Sequence, residues 1–166
     1  MVKIKYILMA ILIVVIGILA IAYFFKSETK KVKKQFDLLS EWVSKDPGEN
    51  TFTMAHKIKS IGTLFDESCE LKTHIESFSG SYTREEISSY AARGRLACSH
   101  LYLKFYDFHI AFLEKEIAKV TLTARLTGKS TTGEYVDETH ELECVLKKIE
   151  TKWLFSHFEV VEVLKK

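Results

Sequence analysis

The chain has 166 residues, 47% of them hydrophobic, and a formal net charge of +2. All 22 acidic residues lie beyond residue 25, where 22 basic residues balance them. This part of the chain therefore lacks the excess of positive charge that general nucleic-acid binding requires, and we expect no nucleic-acid partner. Its length of about 140 residues suits a single domain.

The first predicted element is a membrane-spanning helix. Residues 6–25, YILMAILIVVIGILAIAYFF, carry no charge. A helix of this length is about 30 Å long, which matches the hydrocarbon core of a bilayer. A cleaved signal peptide is the alternative, with Lys3 and Lys5 as its basic start and Ala20-Ile21-Ala22 as its cleavage site. The apolar run is long for a signal peptide and continues through Phe25, which favours an uncleaved anchor.

The charges that flank this run bear on its orientation. Five lysines follow it, and they form a candidate membrane-surface site: Lys26, Lys30, Lys31, Lys33 and Lys34. Anionic headgroups attract such clusters, although a solvated helix start explains them equally well. The positive-inside rule favours a cytoplasmic domain, whereas the short basic start resembles an export signal. We predict a single-pass protein of a bacterial inner membrane with a periplasmic domain, and keep a cytoplasm-facing domain as the alternative.

The membrane helix is predicted to continue into the domain without a flexible linker. Neither glycine nor proline occurs in residues 18–46. One helical face carries an apolar stripe: Val32, Phe36, Leu39 and Val43. Pro47-Gly48 ends this helix. We divide the chain into a tail and anchor (1–25), a basic juxtamembrane helix (26–34) and a domain (35–166).

The next elements are predicted to be short. A second helix fits residues 53–65, and alternating polarity predicts a strand over 69–75. Thr83-Arg84-Glu85-Glu86 has the spacing of a capping box, which predicts that a third helix opens there.

The rest of the chain is predicted to form long antiparallel strands over residues 100–110, 115–128, 134–148 and 151–166. Buried faces are expected from two alternating series: Ala118, Val120, Leu122 and Ala124, then Leu142, Cys144 and Leu146. Helices followed by such a meander indicate an α+β fold. We expect the helices to pack on a strongly curved, mainly antiparallel, cone-shaped sheet with a cavity between them.

Two local sequences resemble the nuclear transport factor two-like superfamily, also called SnoaL-like or cystatin-like. One is FSGSYTREEI at the start of the third helix. The other is TLTARLTG followed by GEYVDETHELECVLKKIETKWLF, which resembles the last hairpin of that fold. The resemblance covers roughly residues 32–164 and implies a cone-shaped domain. The superfamily includes isomerases, dehydratases, polyketide cyclases and non-catalytic membrane-anchored scaffold domains, so the resemblance implies no single function.

Two acid–histidine pairs are candidates for acid/base catalysis, because catalytic members of that superfamily place such pairs inside the cone. Glu138 and His140 follow the alternation of the inner-face residues on their strand. Asp107 and His109 share a predicted strand face with Leu101, Leu103 and Phe105. The alternative for either pair is a solvated position outside the core.

The predicted cavity is the remaining candidate site. His157 and Cys144 are candidate pocket residues, and the cavity suits a small apolar ligand. The closing strand is largely apolar on both faces, so it mainly builds the sheet. In the predicted arrangement, His157 shares a face with Trp153 and Phe155.

The cysteines and histidines predict neither a metal site nor a cofactor. The only close thiol–imidazole spacings join Cys98 to His100 and His140 to Cys144, and no zinc-binding motif occurs. One cysteine pair could form a disulfide, but three buried thiols are favoured, because free cysteine packs as a small hydrophobe. The third cysteine is Cys69.

These features favour a membrane-anchored, non-catalytic binding or assembly module with a protein partner or a homo-oligomeric state. The alternative is a small-molecule binding protein or an isomerase- or cyclase-type enzyme that uses the cavity for an apolar or lipid-like compound.

Overall fold

The computed structural model describes residues 2–73 and 78–163. In chain order its α-helices and β-strands are α1 (Val2–Val43), α2 (Thr51–Gly62), β1 (Phe65–Lys72), β2 (Gly80–Thr83), α3 (Arg84–Ala97), β3 (Cys98–Glu114), β4 (Ile117–Ser130), β5 (Tyr135–Ile149) and β6 (Lys152–Val163).

Helix α1 runs unbroken from the apolar segment into the domain, which confirms the predicted absence of a flexible linker. Its section Ile11–Val43 is long and apolar enough to cross a membrane, judged by length and composition. Residues 11–26 are exposed, whereas Val32, Phe36 and Leu39 are buried against the sheet. The first half of α1 therefore projects from the domain, and the second half belongs to its core.

The two shorter helices begin at side-chain caps. Asn50 accepts a hydrogen bond from the backbone N–H of Thr53 and opens α2. Thr83 and Glu86 form the predicted capping box that opens α3. These caps satisfy backbone donors that the first turn of a helix leaves unpaired.

Helix α2 ends earlier than the sequence predicts. Residue 65 was expected at the end of the helix, but Phe65 begins β1, where its ring packs against Phe155 and Phe158. Burying this ring in the sheet outweighs the weaker helical periodicity of the segment. Strand β1 thus starts four residues before the prediction, and the last two residues of the predicted strand, 74–75, lie outside the described residues.

The strands form one mixed sheet in the order β2-β1-β6-β5-β4-β3. Every neighbouring pair is antiparallel except β1 and β6, which are parallel. The helices pack on one face, where the predicted inner residues of β4 and β5 are buried: Ala118, Val120, Leu122, Ala124, Cys144 and Leu146. This confirms the predicted α+β class and the mainly antiparallel, cone-shaped sheet.

Two β-bulges change which side chains face inward. At Asp107, where φ is 55°, the register between β3 and β4 shifts, and Phe108 packs against the core. In β6 a second shift near Ser156 brings both Phe155 and Phe158 inward. An extra residue in one strand reverses the alternation beyond it. The prediction that His109 shares a face with Phe105, and His157 with Phe155, is therefore wrong, because both histidines point outward.

Candidate functional site

An apolar cavity of about 280 Å³ opens between the concave face of the sheet and the helices. It lies at the end of the cone remote from the apolar half of α1. Its lining is Leu39, Phe65, Leu71, Lys72, Thr73, Ile87, Leu142, Phe158, Glu159 and Val160. A neighbouring cavity of about 390 Å³ shares Leu71, Thr73 and Ile87 with the first. We call the first cavity, with its ten lining residues, the cone mouth.

Five elements and one bulge build the cone mouth, and Leu39 is the contribution of α1. Leu142 comes from the inner face of β5, Leu71 from the end of β1 and Ile87 from α3. The bulge in β6 turns Phe158 inward, where its ring centroid lies 4.9 Å from that of Phe155. Because the lining is mainly hydrocarbon, the cone mouth offers burial rather than hydrogen bonds to a ligand.

Glu138 and His140 are the one predicted acid–histidine pair whose side chains approach each other. His140 Nε2 lies 3.6 Å from Glu138 Oε2, and His140 Nδ1 is buried without a hydrogen-bond partner among the described residues. His140 is partly buried, whereas Glu138 is exposed. Neither residue lines the cone mouth; they lie beyond Leu142 on β5. Proton exchange within the pair requires a closer approach than this.

Asp107 and His109 lie on the outer face of the sheet rather than in the cone. Both are exposed, and the Thr123 hydroxyl donates to Asp107 Oδ2 at 3.4 Å. His109 Nδ1 lies 3.1 Å from the backbone oxygen of Asp107. The bulge is the cause, because it takes residues 107 and 109 out of the phase of Leu101, Leu103 and Phe105.

His157 also lies on the outer face, between two carboxylates. Its Nδ1 is 3.2 Å from Glu70 Oε2, and its Nε2 is 3.4 Å from Glu159 Oε2. Neither His157 nor Cys144 lines the cone mouth. Cys144 is fully buried beneath it, and burial raises the pKa of its thiol well above the ordinary range.

All three cysteines are free and buried. Burial also raises the pKa of Cys69, to about 12, so this thiol stays protonated and unreactive at neutral pH. His140 and Cys144 are four residues apart on one strand, hence about 13 Å apart, too far to share a metal ion. The described residues contain no group of three or more side chains that could hold one.

A buried ionic cluster joins α1 to the sheet at the opposite end of the cone. Glu28 is 2% exposed. Its carboxylate accepts hydrogen bonds from Trp153 Nε1 at 2.8 Å, Lys148 Nζ at 2.9 Å and Lys31 Nζ at 2.8 Å. We call Glu28, Lys31, Lys148 and Trp153 the junction cluster. Burial raises the pKa of Glu28, but these three donors outweigh it and lower the pKa to about 2.

The role of Glu28 was not predicted from the sequence, because the residue stands among five lysines. A signal was nevertheless present. Glu28 lies four positions before Val32, on the buried face of α1. An acidic residue in that phase requires a buried partner. The flanking Lys26, Lys30 and Lys34 are exposed.

Comparison with known proteins identifies the fold alone. No protein-family model matches the sequence, and no curated protein matches it. A protein assigned as a scytalone dehydratase, from Novosphingobium aromaticivorans, has a TM-score of 0.66 at 14% identity, covering 84% of this chain and 85% of its own. The protein LinA has a TM-score of 0.67 at 10% identity, covering 84% and 87%.

A third similar structure, assigned as a calcium/calmodulin-dependent protein kinase II association domain from Xanthomonas campestris, has a TM-score of 0.59 at 15% identity, covering 77% of this chain and 82% of its own. The fold is the nuclear transport factor two-like cone. This confirms the resemblance seen in the sequence. Identities this low carry no function from these proteins to this chain.

Proposed function

We propose that the protein is a membrane-anchored, non-catalytic binding or assembly module of the nuclear transport factor two-like fold. The supporting observation is the continuity of α1, whose apolar half leads directly into a half buried in the cone. The junction cluster ties that helix to β6 at the point of entry. Such a construction holds a domain at a fixed distance from a bilayer.

The proposed function includes the membrane topology that the sequence predicts. The protein spans a bacterial inner membrane once, with the cone in the periplasm, or in the cytoplasm as the alternative. The anchor occupies residues 1–25 and the basic helix 26–34. Val32 is fully buried, which supports counting the end of the basic helix as part of the cone.

Assembly with a protein partner or with further copies of the chain is the predicted mode of action. One similar structure is assigned as an association domain, which supports assembly. Native mass spectrometry of the full chain, extracted from its own membrane in mild detergent, is expected to show a homo-oligomer or a partner at fixed stoichiometry that persists on dilution. A monomer without a partner would contradict this function.

A second function, binding a small apolar ligand, is supported by the cone mouth. We expect the dye ANS to bind there and fluoresce. Leu142→Phe fills the opening from one side and is expected to lower the dye signal several-fold, because the ring occupies the space that the dye needs. The control is Tyr106→Phe, an exposed position on the outer face. If both variants bind the dye equally, the cone mouth is not the site at which the dye binds.

The enzyme alternative depends on Glu138 and His140, since the other predicted pair lies outside the cone. A catalytic role for them needs a substrate that reaches beyond Leu142 towards the buried Nδ1 of His140. A small molecule found by mass spectrometry in the native protein would identify that substrate class.

A further inference from the structure

We infer that two hairpin tips of the cone lie in the headgroup layer of the bilayer that α1 crosses, so that the domain rests on the lipid surface. The tips are residues 113–116, the end of β3 with its turn into β4, and residues 149–152, the turn from β5 into β6 with the strand residues that flank it. We call them the lipid-facing tips. The inference rests on the proposed membrane anchor and adds a second contact with the bilayer, its partner being anionic lipid.

The position of the first tip follows from the packing of α1 on β3. The helix and the strand run antiparallel: Phe36 contacts Phe108 at a centroid distance of 5.3 Å, and Phe25 contacts Phe112 at 5.6 Å. Between these contacts the helix rises about 16 Å and the strand about 13 Å, so their axes are nearly parallel. Beyond Phe112, β3 therefore continues alongside the apolar run, and Leu113 is at least level with Phe25.

The second tip lies beside the first. The backbone N–H of Lys148 donates to the Glu116 oxygen at 2.8 Å, which joins the two hairpin ends. Lys148 Nζ lies 5.6 Å from the Phe24 ring centroid as well as 2.9 Å from Glu28 Oε2. The turn that follows Lys148 is thus held at the level where the apolar run ends.

The side chains at this end suit a lipid interface. Leu113 is 60% exposed and Ile149 44% exposed, although both are apolar and stand at hairpin ends. Tyr23, Phe24 and Phe25 add exposed aromatic rings at the same level. Aromatic side chains of this kind concentrate at headgroup depth.

Charge at this end favours anionic lipid. The exposed basic side chains are Lys26, Lys30, Lys31, Lys115, Lys147 and Lys152, of which Lys31 pairs with Glu28, and the exposed acidic ones are Glu114, Glu116 and Glu150. Lysines near a bilayer surface each contribute about 1 kcal/mol of attraction to anionic lipids. Because Glu114 and Lys115 are excluded from hydrocarbon, the tips, and with them the end of the apolar run, lie in the headgroup layer.

Depth-dependent quenching of single labelled cysteines tests the inference, because the native cysteines are buried. The probes are Leu113→Cys and Ile149→Cys. Tyr135→Cys, at the far end of the cone and 80% exposed, is the water control. Leu19→Cys in the apolar run is the anchor control. The full chain is reconstituted in phosphatidylcholine vesicles with and without phosphatidylglycerol.

We expect Leu19→Cys to report hydrocarbon, both tip probes to report headgroup depth, and Tyr135→Cys to report water. The tip probes should be better shielded in vesicles that contain phosphatidylglycerol. Either tip probe as exposed as Tyr135→Cys, with Leu19→Cys still in hydrocarbon, would overturn the inference and leave the anchor intact. A water-exposed Leu19→Cys would instead overturn the anchor, and the proposed function with it.

Discussion

Replacing Arg95 by alanine is expected to destabilise the domain by about 3–5 kcal/mol, because three backbone carbonyls lose their shared donor and the buried Glu49 carboxylate keeps only Lys57 as an ionic partner. Arg95 is fully buried in α3. Its Nη1 donates to the backbone oxygens of Trp42, Val43 and Ser44 at 2.6–2.7 Å. Its Nη2 pairs with Glu49. Arg95 therefore caps the C-terminal end of α1. It also neutralises the charge of Glu49, which lies in the segment that leads into α2.

The size of this effect follows from the number of groups that lose a partner. Carbonyls at a helix end have no intrahelical donor, and burying them unpaired costs about 1–3 kcal/mol for each group. A domain of this kind is stable by only about 5–15 kcal/mol. Urea unfolding of the full chain in detergent, followed by tryptophan fluorescence, measures the loss. Trp42 lies beside the altered site and reports it directly.

The matched control is Arg93→Ala, two residues away on the same helix. Arg93 is exposed, and its guanidinium carbon lies 5.7 Å from the Tyr90 ring centroid. We expect its loss to cost about 0.5–1 kcal/mol, as for an exposed cation–π contact. Equal effects of the two substitutions would contradict the assigned role of Arg95.

Low pH should destabilise the ionic contacts of Glu49 with Arg95 and Lys57. Burial raises the pKa of Glu49, but hydrogen bonds from Lys57 and Arg95 outweigh it and lower the pKa from its ordinary 4.5. A carboxyl group whose pKa is lowered by folding stabilises the protein above its unfolded-state pKa. Its contribution is therefore full above pH 4.5 and declines as the pH falls below it.

Replacing Glu28 by glutamine is expected to destabilise the protein by about 2–3 kcal/mol, the cost of losing charge-assisted hydrogen bonds in a buried place. Glutamine keeps the shape of the side chain and can still accept from Trp153. Lys148 and Lys31, however, lose their counter-charge. Urea unfolding in detergent measures the difference, and the exposed Glu41→Gln on the same helix is the control, expected to change stability by about 0.5 kcal/mol or less.

The pH dependence of this effect distinguishes charge from packing. Because folding lowers the pKa of Glu28 from 4.5 to about 2, the wild type gains its full advantage over Glu28→Gln above pH 4.5. The advantage should shrink as the pH falls from 4.5 towards 2. A difference that does not change with pH would show that glutamine acts through shape rather than charge.

A double substitution tests whether Glu28 and Lys148 act as a pair. Lys148→Met in the Glu28→Gln background should cost less than the sum of the two single changes, since residues in one ionic cluster are not independent. The same pair holds the hairpin that carries Ile149 against α1. Loss of the Glu28–Lys148 pair should therefore also leave the label of the Ile149→Cys probe less shielded by lipid.

The candidate site was predictable only in part. The sequence correctly placed Leu142 on the inner face, because it lies on an uninterrupted stretch of β5, whereas Glu138 and His140, predicted for the cavity mouth, do not line the cone mouth. It grouped His109 with Phe105 and His157 with Phe155, which is wrong because a bulge separates the members of each pair. One extra residue in a strand exchanges its two faces, and nothing in the local composition marks where the extra residue falls.

Local sequence patterns specify the features that depend on neighbours within a few residues. These are the unbroken α1, the capping box at Thr83 and the alternating face of β4, because helix periodicity, capping and strand alternation act over one to four positions. Long-range packing sets the parallel pairing of β1 with β6, the bulges and the partners of Glu28 and Arg95. Glu28 and Trp153 are 125 positions apart, and such contacts depend on how whole elements pack, which local patterns do not specify.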